Sequence, residues 1–471
     1  MPQPQDAVAS SVTSAKPRTI SRGRMALLFA VMLTTAAGNT AMQSVMPSIG
    51  TELGVADVWI SLAYTWSALL WVICAPLWAR RSDKRGRKAM MALGMLGFIV
   101  SMGLCGLVLY LGLHGLLTVT ATLLLFAAAR SLYGGFGSAA PPAVQAYVAS
   151  RTPRSERTQA LALVASSFGL GTVIGPALAP LLIFPDTGLV GPFFAFAAMG
   201  VAVLIALRLR LPNDDPSFAA RGVVVAAPFS ASSNSSLASD DNDEEDEDSG
   251  PPRNAAEAHA RDRAQAERAS DIPRLRWKDR RLRPWLIAGL LGGHAQAMML
   301  GIIGFFILDR LGLRGDPGAG TGPIGIVLMA GAIATLLAQW GLIPMLKLGP
   351  RSSTMWGVAL AALGTVTFAL ARDLHAISLG FAIASLGFGL YRPGFTSGMS
   401  LAVTRKEQGQ VSGIVASVNG AAYVVAPAVG VWLYGHHEVV GFATICALCL
   451  AVFALGWRGL QSDEVLTNER R

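Results

Sequence analysis

The hydropathy pattern of the chain is a series of long apolar runs cut by short charged clusters. No Asp, Glu, Lys or Arg occurs between Arg24 and Glu52, Asp57 and Arg80, Lys88 and Arg130, Arg157 and Asp186, or Asp186 and Arg208. The second half repeats this between Arg283 and Asp309, Asp316 and Lys347, Arg351 and Arg372, Glu407 and Glu438, and Glu438 and Arg458. An apolar run of about 18 residues is long enough to cross a bilayer as a helix. The runs are continuous, whereas barrel strands would alternate over about 10 residues. Splitting the Lys88–Arg130 run at Gly112 to Gly115, and allowing two spans interrupted by Arg130 and Arg392, predicts twelve helices, six before residue 212 and six after residue 283.

Composition agrees with this pattern. Of 471 residues 52% are hydrophobic and 14% charged, against about 25% charged in an ordinary soluble domain, which excludes a water-soluble enzyme. The net charge of +9 is a topology signal and calls for no nucleic-acid partner, because Lys and Arg gather on the cytoplasmic side of membrane proteins. Only Arg310, Arg314 and Arg372 fall on the opposite side, and Arg130 and Arg392 lie within spans. Both termini are therefore expected in the cytoplasm, with the body in a plasma or bacterial inner membrane as a monomer. The four cysteines, Cys74, Cys105, Cys446 and Cys449, fall inside spans as small packing residues. The Cys446/Cys449 pair has no second pair or nearby His to complete a metal site, and no cofactor is expected.

The organisation read from the sequence is a tail (1–24), a six-helix bundle (25–211), a linker (212–283), a second six-helix bundle (284–457) and a tail (458–471). In the linker the run Asp240–Asp248 is acidic everywhere except Asn242, a composition that cannot bury a core. Asn254–Ser270, rich in Ala, Glu and Arg, has the makings of a surface helix.

An internal repeat relates the bundles. Arg154–Pro176 aligns with Arg405–Pro427 at constant offset, matching Glu156 to Glu407, Gln159 to Gln410, Ser166 to Ser417, Gly169 to Gly420 and Pro176 to Pro427. One residue of slip pairs Gly135-Phe136-Gly137 and Pro141 with Gly387-Phe388-Gly389 and Pro393. Helices 4 and 5 thus correspond to 10 and 11. The fold class is an all-α polytopic membrane protein of two pseudo-symmetric six-helix bundles, an architecture whose substrate site lies between the halves near the midplane.

Three motifs carry a further resemblance. Asp83-Lys84-Arg85-Gly86-Arg87-Lys88, in the 2–3 loop, is similar to the D-R-x-G-R-R/K signature of the major facilitator superfamily, with Ala79 where a Gly is usual. Arg130-Ser131-Leu132-Tyr133-Gly134 resembles its R-x-x-x-G pattern. Gly171-Thr172-Val173-Ile174-Gly175-Pro176-Ala177-Leu178-Ala179 resembles the G-x-x-x-G-P-x-x-G motif of antiporters, with Ala179 for the last Gly and Ala162 for an earlier one. The resemblance, particularly to the drug:proton antiporter branch, implies alternating access. In it Asp83, Gly86, Arg87 and Lys88 act as a conformational latch, and Gly171, Gly175, Pro176 and Pro427 form close helix seams. It also implies efflux of a small organic solute coupled to protons.

Polar residues inside spans are the candidates for a solute cavity: Asn39, Gln43, Arg130, Tyr133, His294, Gln296, Gln339, Tyr391, Arg392 and Asn419. A charge deep in an apolar helix marks a functional site by default. No Asp or Glu falls within any predicted span, a departure from many drug:proton antiporters. Arginine stays protonated, so the proton candidates are His294, whose side chain type titrates nearest neutrality, and Asp83 and Asp309 at the two rims. An isolated His serves equally as a hydrogen-bonding spacer. Two arginines without carboxylates make an electropositive cleft, so neutral or anionic solutes are expected over cations. An uncoupled facilitator, an anion exchanger and a non-transporting sensor are the alternatives. No HExxH, GxSxG or phosphate loop points to an enzyme.

Overall fold

The computed structural model describes residues 20–152, 154–212, 278–403 and 407–464. The acidic run and the proposed surface helix of the linker, the first nineteen residues and the last seven lie outside these. Twelve helical spans follow one another among the described residues: α1 (Arg22–Glu52), α2 (Asp57–Arg85), α3 (Arg87–Leu113), α4 (Val119–Gly135, resuming as Ala140–Arg151), α5 (Arg154–Leu178) and α6 (Gly191–Arg210) in the first half. The second half contains α7 (Arg283–Arg310), α8 (Pro317–Leu336, ending as Ile343–Leu346), α9 (Pro350–Leu370), α10 (Leu374–Leu401), α11 (Gln408–His436) and α12 (Glu438–Gly459). In lipid a helix satisfies its own backbone, which is why apolar runs adopt it. Large apolar side chains such as Leu124, Leu181, Leu363, Leu379 and Trp457 face outward, the exposure expected of a surface solvated by lipid.

Local chemistry sets the helix ends. Thr118 caps α4 by accepting from the Ala121 N–H, and Asp373 caps α10 by accepting from His375 and Ala376 at 3.0 Å each. These side chains take up N–H groups that have no partner within the helix. Between α2 and α3, Gly86 has φ +88°, a conformation that glycine adopts without strain. At α9 the cap comes from far along the chain. Gly349 has no side chain to offer, and Asp463, beyond α12, accepts from the N–H groups of Arg351 (2.7 Å) and Ser352 (3.1 Å) and from the Ser352 hydroxyl (2.6 Å).

The packing repeats with the sequence. The pairs α1–α5, α2–α4, α3–α6 and α1–α6 of the first half recur as α7–α11, α8–α10, α9–α12 and α7–α12 in the second. The halves meet along α2–α11 and α5–α8, two contacts related by the same pseudo-symmetry. Helices 4 and 10 show where it fails: α10 runs unbroken through Gly387–Gly389 and Pro393, whereas α4 is interrupted by a 3-10 turn at Gly137–Ala139. The second helix of the pair has one proline, while the first has Pro141 and Pro142 adjacent, so two successive N–H donors are missing where α4 resumes. In α8 a π-turn at Leu337–Leu342 shifts the register of the last turns.

Candidate functional site

Arg130 is placed by close approach of α2 to α4. A side chain at Gly134 would run into the Ser67 carbonyl, and across this contact the Ser67 hydroxyl donates to the Arg130 carbonyl (3.3 Å) and the Trp66 indole to the Ser131 hydroxyl (2.7 Å). The Arg130 side chain, 1% exposed, donates through Nη2 to Oδ1 of Asn39 on α1. Its guanidinium carbon stands 4.6 Å from the Tyr133 ring centre and 5.8 Å from that of Tyr64. Its Nε and Nη1 have no protein acceptor.

Arg392 is the second buried guanidinium, 3% exposed. Its Nη1 donates to the Tyr423 hydroxyl on α11 at 3.3 Å, its carbon lies 5.7 Å from that ring, and its Nη2 has no protein acceptor. Neither arginine has a carboxylate partner among the described residues.

Tyr64 and Tyr423 face one cavity between the halves. Its wall is drawn from α1 and α2 on one side (Gln43, Met46, Pro47, Ile60, Ser61, Tyr64) and from α7 and α11 on the other (Leu300, Gly301, Gly304, Phe305, Tyr423, Pro427). Its volume is about 60 Å³, far below the roughly 300–1,000 Å³ of a site that holds an organic ligand. It is a pathway closed down by the approach of the halves, as the glycines show: a Cβ on Gly304 would strike Pro47 across the interface, and one on Gly325 would come within 2.6 Å of the Pro176 carbonyl.

Beyond this cavity, at the face opposite the chain ends, the halves are joined by charge. Arg314, in the α7–α8 loop, donates to both carboxylate oxygens of Asp57 at the start of α2 (2.8 and 2.7 Å) and to the Thr51 hydroxyl (3.2 Å). It simultaneously holds Asp309 of its own half (2.7 and 3.1 Å), which also accepts from Tyr434 at 2.7 Å. The bonds to Asp57 raise the Arg314 pKa above its ordinary value; burial works against them and Asp309 adds to them. At the chain-end face Arg281 bridges Asp279 and Glu407, and its hydrogen bond holds the Asp279 carboxyl below the usual range.

The structure distributes the residues singled out from sequence. Gln43 is in the cavity wall. Asn39, four residues away, is buried as the partner of Arg130. Tyr133 packs between Trp71 (5.2 Å) and Phe98 (6.0 Å) and is 2% exposed. Tyr391 does not line the cavity either: its hydroxyl donates to the Ala288 and Gly289 carbonyls (3.0 and 2.9 Å) and braces α10 against α7. Gly292 on α7 leaves that space: a Cβ there would run into the Tyr391 ring. Gln296 and Asn419 are half-buried, and Gln339 is half-buried on the π-turn of α8. His294 donates from Nδ1 to the Leu290 carbonyl at 2.7 Å, since the carbonyl can only accept, which leaves Nε2 as the acceptor nitrogen of the neutral ring. Asp309 is bound in the charged network. The side chain of Asp83 lies outside the described residues. Arg87 is buried, and Lys88 donates to the Arg208 carbonyl at the end of α6 (3.0 Å).

The seam residues sit at close backbone contacts. A Cβ on Gly171 would lie 2.7 Å from the Leu33 carbonyl, one on Gly175 would strike the Ala37 carbonyl and Thr40 hydroxyl, and Thr40 donates to the Gly171 carbonyl (3.3 Å). In the second half glycines of the partner helix take part as well, beside Gly430 of α11, whose added Cβ would come to 2.9 Å from Met298 on α7. Gly293 and Gly301 of α7 face Ala422 and Pro427 of α11, where added Cβ atoms would come to 3.1 and 2.7 Å.

Sequence reasoning missed Tyr64, Ser61 and Tyr423. Their signal was present, since each is a polar group inside an apolar run and Tyr423 follows Asn419 by one helical turn. The Arg314–Asp57 pair had no local signal, its members being 257 residues apart.

Two related bundles enclosing a cavity and tied across one face by opposite charges are built as a membrane transporter and not as an enzyme. The chain belongs to the Major Facilitator Superfamily, whose family model matches residues 28–427. It is 29% identical over 194 residues to a probable actinorhodin transporter of Streptomyces coelicolor, covering 40% of this chain and 31% of the relative. It is 29% identical over 174 residues to multidrug resistance protein 1 of Bacillus subtilis, covering 36% and 41%. The chain thus spans less than half the length of these curated relatives. The crystal structure of a D-xylose–proton symporter superposes with a TM-score of 0.66 at 12% identity, over 94% of this chain and 98% of that one; at this identity the likeness concerns the fold.

Proposed function

We propose that this transporter carries a small organic solute outward by alternating access, coupled to protons, with the chain ends and their basic loops in the cytoplasm of a bacterial inner membrane. The observation that carries the reading is the closed face: a cavity lined by both halves, shut on one side by Arg314 bound to Asp57 across the interface. Breaking that bond and forming others at the basic face exposes the cavity alternately. Gly86, Arg87 and Lys88, with Asp83, are the latch at the basic face. The α1–α5 seam at Gly171, Gly175 and Pro176 and the α7–α11 seam at Pro427 are the surfaces that slide. Relatives named for multidrug resistance and for actinorhodin transport support efflux of organic compounds.

His294 is the proposed proton carrier, through Nε2. Arg130 and Arg392, lacking carboxylate partners, favour neutral or anionic solutes. The same lack of a carboxylate within the spans favours a second reading, an uncoupled facilitator or anion exchanger. Reconstituted liposomes with an imposed pH gradient separate the two. Coupled efflux accumulates solute against its gradient and stops when the pH gradient is collapsed; a facilitator only equilibrates. A protein that binds solute without moving it would be a sensor, and the transporter reading of this chain would fall.

A further inference from the structure

We propose that the corner where the start of α7 meets the end of α12, at the chain-end face, is a binding site for one anionic phospholipid of the adjoining leaflet. The inference holds whichever solute moves and in whichever direction.

Arg283 opens α7 and Arg458 lies in the last turn of α12. Packing brings these helix ends together: a Cβ on Gly459 would stand 3.8 Å from Pro284, an ordinary contact. Both arginines are exposed, as are Lys278 and Arg280 on the segment that enters α7. None of these four cations has an acidic partner among the described residues. The acids nearby are engaged elsewhere. Arg281 holds Asp279 and Glu407, the start of α9 holds Asp463, and Glu464 has interactions of its own. The helix ends add to the positive field. α7 starts with no side-chain cap and no acid in its first turn, so no carboxylate offsets the positive end of its dipole. The negative end of α12 is masked, because Arg351 donates to the Gly456 and Trp457 carbonyls at 3.2 and 3.0 Å.

Behind the charges the surface turns apolar in the order that a lipid does. Trp457, next to Arg458, is 67% exposed and stacks on Phe453 at 6.2 Å; tryptophan is a side chain that settles at headgroup depth. Leu450, 59% exposed, follows two turns, about 10 Å, deeper in the membrane. Between them Ala451 and Ala454 are exposed, small side chains that leave room along the helix for a hydrocarbon tail. A soluble acidic partner would meet the cations but not this strip, which faces the hydrocarbon. Clusters of Lys and Arg beside a membrane helix attract anionic headgroups, with about a five-fold gain in affinity for each residue.

The test is native mass spectrometry of the full-length protein released from detergent, titrated with phosphatidylglycerol or phosphatidylcholine of identical acyl chains. The first phosphatidylglycerol is expected to bind at least about ten-fold more tightly than phosphatidylcholine. Arg283→Gln and Arg458→Gln should each weaken it by about five-fold and leave phosphatidylcholine unchanged, whereas Trp457→Ala should weaken both lipids alike. Arg210→Gln, at an exposed arginine ending α6 in the other half, should change neither. Thermal unfolding of the variants in the same detergent confirms that they are folded. Equal binding of the two lipids, or equal losses for Arg210→Gln and the two corner variants, would overturn the proposal. Displacement of the lipid by millimolar glycerol phosphate would do the same, by marking a site for soluble phosphates. Tighter phosphatidylglycerol binding once the acids of Asp240–Asp248 are changed to amides would make the linker the occupant and remove the lipid from the corner.

Discussion

Replacing Asp57 by Asn isolates the bond that closes the face opposite the chain ends. Arg314 makes two hydrogen bonds to Asp57 and two to Asp309; the first pair crosses between halves, as does its bond to the neutral Thr51 hydroxyl, which Asp57→Asn leaves in place. When that face opens, the Asp309 bonds travel with Arg314 and contribute nothing to the difference between states. What Asp57→Asn removes is one bidentate ion pair with side chains 33% and 17% exposed. Exposed ion pairs are worth about 0.2–1 kcal/mol, and hydrogen bonds to charged groups about 1.5–3 kcal/mol. At this partial exposure about 1–2 kcal/mol is reasonable, which is a five- to thirty-fold change in the ratio of open to closed molecules. The assay places a single cysteine at Ser61 in the cavity wall of a protein whose four native cysteines are replaced. It then follows labelling by a membrane-impermeant maleimide added at that face. Asp57→Asn should raise the labelling rate by that factor. Asp309→Asn, which leaves the crossing bond in place, should change it by less than half as much on a logarithmic scale. High salt should narrow the gap between wild type and variant. Equal effects of the two substitutions, or no effect of Asp57→Asn, would show that apolar contact such as Pro47 against Gly304 holds the face shut and that the charge pair is incidental.

Three other outcomes are expected. Asp463→Ala removes the cap that the chain end lends to α9 and should lower unfolding stability by about 1 kcal/mol, seen as earlier thermal unfolding in detergent and faster amide exchange at Arg351 and Ser352. The Asp279 carboxyl has a lowered pKa because Arg281 hydrogen-bonds it. Its contribution is therefore complete above about pH 4, the unfolded value, and is lost as pH falls through the lower folded value; amide exchange at Arg281 should rise on strong acidification, and Asp279→Asn should abolish that dependence. Gly175→Ala sets a methyl against the Ala37 carbonyl and should cost about 1–3 kcal/mol by overpacking, with solute flux falling at unchanged expression.

The spans could be read from sequence because in lipid a single variable, the length of an uncharged run, decides whether a helix forms. The repeat could be read because Pro176 and Pro427, Glu156 and Glu407 keep their spacing. The break in α4 was less visible, since Gly135-Phe136-Gly137 has a counterpart in α10 that stays helical; the adjacent prolines, not the glycines, make the difference. For the site, polarity within a span located the arginines but could not say what each one faces. Asn39 and Gln43 share a helix face, yet one is drawn to Arg130 and the other to the cavity. Tyr391 looked like a lining residue next to Arg392, and its partners on α7 could be known only once the helices were packed. Contacts between residues hundreds of positions apart are set by the tertiary arrangement, and the Arg314 lock is of that kind.

Glycines lie on α5 at the first seam but on α7 as well as α11 at the second, so intimacy belongs to a pair of helices and can be supplied from either side. A methyl scan should therefore find fragile positions on the fifth helix of one bundle and on both helices of the matching pair in its twin, and a search for a glycine motif at matching positions will overlook the close contacts that Gly293 and Gly301 make.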